Sequence, residues 1–355
     1  MSPALKVVAP GLFTSLQDRG RLGFQSLGMP VAGALDMLGL QIANALCGNP
    51  PDMAALELRY LGPSLKAEAD SVRLALAGAA QADILAGDGS VYPLDAWRSF
   101  TLKRGDTLRI GNTDAAAAYL AVAGGFDLPP FMGSLSTYTR AGLGGFKGRI
   151  LQAGDALPLK AAAASDGGDR QIEGAAALYG EGPIRVVLGP QQDRFTAEGI
   201  AAFLAGEYRV TKEADRMGMR LEGPAIAHTR GADIASEGIA NGAVQVPGNG
   251  QPIILLADRQ TTGGYTKIAT VISADLPRLG AMKPGAALRF AQVSVAEAEA
   301  IRRRQQADLQ ALLAGMRPAK PAGGLDLDAL YRENLISGMV DAVSGAEGMV
   351  RGGGE

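Results

Sequence analysis

The fold of this chain is decided by residues 72–125, which read VRLALAGAAQADILAGDGSVYPLDAWRSFTLKRGDTLRIGNTDAAAAYLAVAGG. Apolar runs such as VRLALAG, ADILAG and AAYLAVAGG alternate in this stretch with turns that are rich in glycine and aspartate. Short runs between turn residues are typical of β-strands that are joined by short connections. The stretch therefore predicts antiparallel β-structure.

The same pattern extends over most of the chain. Its 355 residues include 49 glycines and 19 prolines, which favour many tight turns over long helices. A second β-rich stretch is predicted from residue 184 to residue 290. Residues 161–180 are rich in alanine, glycine and aspartate and are the predicted boundary between two domains. Two domains also agree with the usual size of about 150 residues per domain.

Three turn sequences resemble one another and suggest that the β-structure is duplicated. LKRGDTL at 102–108 and LQAGDAL at 151–157 share a central glycine, and MKPGAAL at 282–288 is a looser copy. Two similar β-barrels in tandem would explain this repeat. Turn chemistry alone is the alternative explanation, because glycine is favoured wherever a tight turn leads into a strand.

Helices are predicted at two places. Apolar residues recur at helical spacing over residues 35–46, with Asp36 near the start of the helix and Gly48 as its C-cap. Ser294 and Glu297 form a capping-box pattern that begins a long helix.

The expected organisation is mainly β, with a helical tail. The predicted parts are an N-terminal subdomain at 1–170, a C-terminal subdomain at 171–292, and a tail at 293–355. After its first helix, the tail is predicted to contain a linker at 317–324, a second amphipathic helix around Leu327 to Leu335, and a glycine-rich end.

Composition excludes several classes of function. The net charge is −2 and no basic stripe is interleaved with aromatic residues, which argues against nucleic acid as a partner. The N-terminus does not resemble a signal peptide and no apolar run is long enough to span a membrane, so we expect a cytoplasmic protein. With one histidine, His228, and one cysteine, Cys47, a histidine-based metal site is excluded.

The segment from residue 241 to residue 273 is the richest in candidate catalytic groups. An apolar run at 253–257 ends at Asp258, and a strand-like run that contains Lys267 follows. A hairpin would bring these two side chains together, with Asp258 as a general base and Lys267 stabilising negative charge. The alternative is a purely structural ion pair. The residues expected to bind substrate in this segment are Gln245, Arg259, Gln260, Thr261 and Thr262.

Two further loops add charged groups to the predicted site. Asp18, as a catalytic residue, and Arg21, as a substrate ligand, lie in the first loop. Arg216 can bind a carboxylate or phosphate, although a surface Asp–Arg pair is the simpler interpretation. The glycine-rich loop at 141–149 could bind an anion through its backbone N–H groups, or be an ordinary turn. Its expected anion ligands are Gly142, Gly144, Gly145 and Lys147.

Several long motifs occur in a fixed order: PGLFTSLQDRGRLGF at 10–24, GALD at 33–36, LAVAGGF at 120–126, STYTRAGLGGFKGR at 136–149, DRMGMRLEGP at 215–224, and VQVPGNGQPIILLADRQTTGGYTKIATVISADLPRLG at 244–280. Together they resemble the KipA/allophanate hydrolase subunit 2 family, which includes one of the subunits of the ATP-driven 5-oxoprolinase. The resemblance covers about residues 5–290 and implies two cyclophilin-like β-barrel subdomains.

The resemblance also implies a partner and three alternative functions. The expected partner is a KipI-type subunit 1. The favoured function is a subunit of an ATP-dependent 5-oxoprolinase, with ATP as co-substrate. The first alternative is the carboxyltransferase part of a biotin-dependent urea carboxylase, which would need a biotin carrier. The second alternative is a non-enzymatic KipA-type protein that binds a kinase inhibitor.

Overall fold

The computed structural model describes residues 2–165 and 167–319. The helices are α1 (Met37–Cys47), α2 (Ala197–Ala205), α3 (Leu276–Ala281) and α4 (Val295–Ala314). The strands are β1 (Ala4–Ala9), β2 (Phe13–Gln17), β3 (Ala55–Arg59), β4 (Ser64–Ala67), β5 (Ser71–Ala77), β6 (Ala80–Leu85), β7 (Val91–Leu94), β8 (Arg98–Lys103), β9 (Thr107–Thr113), β10 (Ala118–Val122), β11 (Ala156–Pro158), β12 (Arg170–Gln171), β13 (Ile184–Leu188), β14 (Tyr208–Val210), β15 (Gly218–Glu222), β16 (Asp233–Gly238), β17 (Ala243–Gln245), β18 (Ile253–Leu255), β19 (Thr262–Tyr265), β20 (Lys267–Val271), β21 (Ala287–Leu288), β22 (Phe290–Gln292) and β23 (Arg317–Pro318).

The N-terminal half contains two antiparallel sheets that enclose one hydrophobic core. Their strand orders are β11-β1-β4-β9-β6-β7 and β2-β3-β10-β5-β8-β12-β23. The sequence of strand β10 is apolar throughout because both faces of the strand are covered. Leu120 and Val122 face the core between the sheets, whereas Tyr119 and Ala121 face a second core beneath α1. A strand that is covered on both faces loses the usual alternation of apolar and polar residues.

The C-terminal half is built on one eight-stranded sheet in the order β21-β14-β15-β18-β17-β20-β13-β22. The two edge strands of this sheet, β21 and β22, are separated in sequence by Arg289 alone, so the sheet curls into a nearly closed barrel. Its interior is a single cluster of apolar side chains. Strands β13 and β22 form a parallel pair, while the other pairs of this sheet are antiparallel.

Both predicted helices are confirmed. The Asp36 carboxylate caps α1 by accepting hydrogen bonds from the N–H groups of Leu38 and Gly39, and Gly48 closes the helix with a left-handed φ of 73°. Helix α4 begins with the predicted capping box of Ser294 and Glu297. It packs through Leu309 against the core beneath α1. The predicted second tail helix lies outside the described residues.

The three similar turns share one geometry. Gly105, Gly154 and Gly285 have φ values of 96°, 88° and 89°, which few residues other than glycine adopt. In each turn the residue after the glycine donates its N–H to the carbonyl three residues earlier. Turn chemistry is therefore sufficient to explain the repeated sequence, and the duplication stays a prediction.

The prediction of a mainly β fold with a C-terminal helix is confirmed. Helices α2 and α3, within the stretch expected to be β-rich, were not predicted. The described residues belong to one compact unit, and the predicted boundaries at 170 and 292 stay predictions.

Candidate active site

A cleft of about 300 Å³ lies on the outer face of the C-terminal sheet. Its floor includes Ile253 and Leu255 of β18, and Gln245, Gln260 and Tyr265 contribute to its walls. Except for Arg140, the lining residues come from the C-terminal half. The cleft therefore lies where a loop of the N-terminal half meets the C-terminal barrel.

The strand register explains why polar groups gather at this cleft. Arg220 pairs with Ile253, Ile253 with Gln245, and Gln245 with Lys267 across four neighbouring strands. Residues that pair directly across strands point to the same face of a sheet. The four side chains therefore form one row, in which Lys267 lies beyond Gln245.

Gln245 is buried in this row with an unsatisfied donor. It is 2% exposed, and its Nε2 has no hydrogen-bond partner. A buried polar group without a partner costs about 1–3 kcal/mol, so such groups are normally satisfied by protein, by ordered water or by a ligand. Because a carboxamide can turn about its last bond, Gln245 can offer the cleft either a donor or an acceptor.

Lys267 is buried and has a carboxylate partner. Its Nζ lies 2.6 Å from Oε1 of Glu237, which also accepts a hydrogen bond from Gln191 at 2.8 Å. The hydrogen bond from Lys267 is the main cause that lowers the pKa of Glu237. Glu237 belongs to the two-stranded ribbon of β16 and β19, so the ion pair fastens this ribbon to the sheet.

Glycine at position 263 allows this ribbon to lie close to the cleft. A Cβ at Gly263 would overlap Ile239 and would crowd the amide groups of Gln245 and Gln260. Thr262 is exposed on β19, and Thr261 accepts a backbone hydrogen bond from Ile239.

A second polar group, the buried triad of Glu57, Arg216 and Asp258, joins the two halves of the chain. Arg216 donates from Nε and Nη2 to the two carboxylate oxygens of Asp258, both at 2.9 Å, and from Nη1 to Glu57 at 2.5 Å. Glu57 is 1% and Asp258 is 3% exposed. Burial raises the pKa of Asp258, and the charge and hydrogen bonds of Arg216 lower it.

The buried triad continues into a network of tyrosines. Tyr119 donates its hydroxyl to Glu57 at 2.7 Å and accepts the N–H of Asp36 at 2.9 Å. Tyr179 donates to Asp36 at 2.5 Å. Burial is the largest cause that raises the pKa of Asp36 to about 6.

The first loop holds its own buried charges. Asp18 accepts hydrogen bonds from the hydroxyls of Ser134 and Ser136 at 2.7 and 2.5 Å, and from two backbone N–H groups. Arg21 is 1% exposed and donates from Nη2 to the carbonyl of Ser136, whereas its Nε and Nη1 have no hydrogen-bond partner. Burial lowers the pKa of Arg21, and the charges of Asp18 and Asp258 raise it.

The glycine-rich loop is packed against protein. A Cβ at Gly144 would overlap Arg21 and Ser136, and a Cβ at Gly145 would overlap Thr137. Gly142 ends a short helical turn, with a φ of 65°. Gly144 and Gly145 therefore permit close packing, and Gly142 permits the left-handed backbone at the end of the turn.

The two cations of this loop share one carboxylate. Arg149 binds both oxygens of Asp155 at 2.7 and 2.8 Å, and Lys147 lies 3.7 Å from the same carboxylate. The hydrogen bond from Arg149 is the main cause that lowers the pKa of Asp155. An anion at Lys147 would have to compete with Asp155.

With this geometry established, comparison with known proteins defines the family. Residues 27–292 match the family described as carboxyltransferase domain, subdomain A and B. The chain belongs to this family. It is 38% identical over 307 residues to a 5-oxoprolinase subunit of Escherichia coli, a match that covers 85% of this chain and 95% of that protein.

Some relatives with this domain are much longer proteins. The chain is 30% identical over 335 residues to urea amidolyase of Saccharomyces cerevisiae, covering 87% of this chain and 18% of that protein. The crystal structure of the K. lactis urea amidolyase superimposes with a TM-score of 0.78 at 27% identity, covering 92% of this chain and 21% of that chain.

The structure corrects one expectation about the carboxyltransferase-domain site. The predicted hairpin between Asp258 and Lys267 is wrong, because β17 lies between β18 and β20 in the sheet. Asp258 is paired with Arg216, and Lys267 with Glu237.

The predicted site residues fall into two groups. Gln245 and Gln260 line the cleft, with Lys267, Thr261 and Thr262 on neighbouring strands and turns. Those that belong to the buried charges of the first loop and the triad are Asp18, Arg21, Arg216 and Asp258. Arg259 is buried elsewhere and donates to the carbonyls of Ile239 and Leu256.

Sequence reasoning missed Glu57 and Arg140. The sequence does mark Glu57 as unusual, because it is the one charged residue within the apolar run AALEL at 54–58. Arg140 lies inside the STYTRAGLGGFKGR motif, but only the fold shows that it reaches a cleft formed by the other half.

Within residues 2–165 and 167–319, no group of three or more His, Cys, Asp and Glu side chains is placed to hold a metal ion. His228 is packed near Phe195 and its Nε2 lies 3.1 Å from the carbonyl of Val246. No helix there is long and apolar enough to cross a bilayer.

Proposed function

We propose that this chain is a subunit of an ATP-dependent 5-oxoprolinase, acting in the cytoplasm with a KipI-type subunit. The observation that supports this most strongly is the 38% identity to the E. coli 5-oxoprolinase subunit, over 95% of that protein. A match that spans nearly a whole relative is a better guide to function than one that covers 18% of a larger protein.

The proposed reaction opens the lactam ring of 5-oxo-L-proline to give L-glutamate. The amide carbonyl is a poor electrophile, and transfer of the terminal phosphoryl group of ATP to its oxygen makes the carbon easier to attack. Water then adds to that carbon, the C–N bond breaks, and the ring nitrogen takes up protons. ADP leaves when the phosphoryl group is transferred, and a second water then hydrolyses the acyl phosphate to L-glutamate and inorganic phosphate.

The cleft is the proposed place for the lactam. The unsatisfied N–H group of Gln245 can bind the carbonyl oxygen, and Gln260 lies nearby. Lys267, the neighbour of Gln245 in the row, supplies positive charge close to the point where negative charge develops. Thr261 and Thr262 border this region and are further candidates to bind substrate.

Asp258 has a positioning role in this proposal. Both of its oxygens are bound by Arg216, so its carboxylate is already engaged. Through the buried triad, Asp258 holds the barrel against the N-terminal half. The same contact fixes the position of the barrel side of the cleft relative to the loop that carries Arg140. Asp18 and Arg21 hold the same loop in place through their buried hydrogen bonds.

The experiment that tests this function uses the chain purified together with its subunit 1 partner. ATP hydrolysis is measured with and without 5-oxoproline, and glutamate is measured as the product. We expect hydrolysis that depends on 5-oxoproline and on both subunits. Absence of stimulation, with both subunits folded and bound to each other, would contradict the proposal.

A second candidate is the carboxyltransferase part of a biotin-dependent urea carboxylase. It is favoured by the similarity to the urea amidolyases of S. cerevisiae and K. lactis. Transfer of a carboxyl group from a biotin carrier to urea, without stimulation of ATP hydrolysis by 5-oxoproline, would support it. Tight binding of the partner without any turnover would instead support a regulatory KipA-type binder.

A further inference from the structure

The cleft carries a second recognition group that the proposed reaction does not yet use. Arg140 lines the cleft from the N-terminal half, whereas the other lining residues belong to the C-terminal half. We infer that Arg140 selects substrates that carry a carboxylate, so that the cleft takes small molecules with both a carboxylate and an amide carbonyl. The identity of the substrate in this inference rests on the proposed function, whereas the position of Arg140 in the cleft does not depend on that function.

The charged residues around the cleft do not engage the guanidinium of Arg140, so it is available to bind a ligand. Of the two arginines that line it, Arg220 lies 3.1 Å from Glu213. Asp215, the other acidic lining residue, accepts the N–H groups of Met217 and Gly218 at 2.8 and 3.1 Å. Within residues 2–165 and 167–319, Arg140 has neither a carboxylate within ion-pair distance nor a hydrogen-bond acceptor for its guanidinium.

Arg140 is exposed, but the loop beneath it is firmly held. It lies in the helical turn Thr139–Ala141, which Gly142 ends, and the backbones of Tyr138 and Leu143 pair just outside this turn. A recognition residue is most selective when its support is rigid.

Two contacts fix the loop on either side of the turn. On the N-terminal side, Arg21 donates to the carbonyl of Ser136, and Gly144 packs on the same guanidinium. On the C-terminal side, Arg149 binds both oxygens of Asp155. Arg21 therefore acts as a positioning residue for Arg140, which explains why so large a cation is buried in the first loop.

The chemistry of the two groups defines the class of ligand. A guanidinium binds a carboxylate through two parallel hydrogen bonds, and the free N–H of Gln245 binds a carbonyl oxygen. 5-Oxoproline has both groups on one five-membered ring. Urea has the carbonyl but no carboxylate, so it cannot use Arg140 in this way.

The test compares two lactams that differ only in the carboxylate. Binding of 5-oxoproline and of 2-pyrrolidone to the complex with subunit 1 is measured by calorimetry or ligand-observed NMR for the wild type and for R140Q. Loss of a hydrogen bond to a charged group weakens binding by about tenfold to a hundredfold. We expect that loss for 5-oxoproline and less than twofold change for 2-pyrrolidone, with R140K intermediate.

The matched control is R304Q on α4, because the Arg304 side chain is 86% exposed and far from the cleft in sequence. It should leave both affinities unchanged. Wild-type affinity for 5-oxoproline in R140Q, equal weakening of both lactams, or no binding of 5-oxoproline by the wild type would each overturn the inference. Binding that depends on Arg140 without any stimulation of ATP hydrolysis would support the inference and contradict the proposed function.

Discussion

Replacing Arg216 by methionine should destabilise the chain more than most single changes, because it leaves two carboxylates buried without their cation. Glu57 keeps hydrogen bonds from Tyr119 and from the Leu35 N–H, at 2.7 and 2.9 Å. Asp258 loses both of its charged hydrogen bonds. Breaking a buried ion pair by removing one partner costs about 3–5 kcal/mol, and we expect a loss in that range for Arg216→Met at pH 7.

Urea unfolding, followed by fluorescence of the single tryptophan, Trp97, measures this loss. The loss should be smaller at pH 5 than at pH 8. A buried carboxyl group without its cation has a raised pKa in the folded state, so it destabilises the fold most at the higher pH, where it is ionised. A triple variant with Glu57→Gln, Arg216→Met and Asp258→Asn, which buries no charge, should recover at least half of the loss.

A loss below about 1 kcal/mol, or one that does not depend on pH, would refute this reasoning about the buried triad. Asp258→Asn alone tests the catalytic alternative. If this variant stays as stable as the wild type yet turns over at least about a hundredfold more slowly, Asp258 is the general base and the structural assignment is wrong.

Two further predictions concern stability. Burial raises the folded pKa of Asp36 to about 6, above its unfolded value, so the stability that this carboxyl group contributes is fully present below the unfolded pKa and is lost as the pH rises through the folded pKa. Relative to Asp36→Asn, the wild type should lose on the order of 3 kcal/mol between about pH 3 and pH 7 in urea titrations. Ser294→Ala should lower the free energy of unfolding by about 1 kcal/mol, because the N–H of Glu297 loses its cap; an unchanged urea midpoint would show that α4 does not need it.

Local features of this structure could be predicted from sequence, because the residues that make them lie within a few positions of each other. Asp36 with Gly48, and Ser294 with Glu297, mark the ends of helices through contacts inside one or two turns. The strands of the first half could also be predicted from sequence, because glycine residues mark the turns between them.

The candidate site could be predicted only in part, because it depends on strand order. Asp258 and Lys267 are neighbours in sequence, and the hairpin was the simplest arrangement for them. The barrel instead inserts β17 between their strands, which brings Gln245 opposite Lys267. Glu57 and Arg216 are 159 positions apart, and nothing in their local sequences shows that they meet.

The way the sheets end has a consequence for assembly. An unpaired edge strand can template the addition of a strand from another molecule, and proline blocks this because it has no N–H group. The strands at three sheet edges, β7, β11 and β23, contain Pro93, Pro158 and Pro318.

The edge strand β2 is also engaged, because its backbone carbonyls accept the N–H groups of Thr137 and Leu151. In the barrel, the edge strands β21 and β22 are only two and three residues long. Within the described residues, the three large sheets therefore offer little backbone for intermolecular β-augmentation or fibril growth, and a partner subunit that binds them would have to recognise side chains.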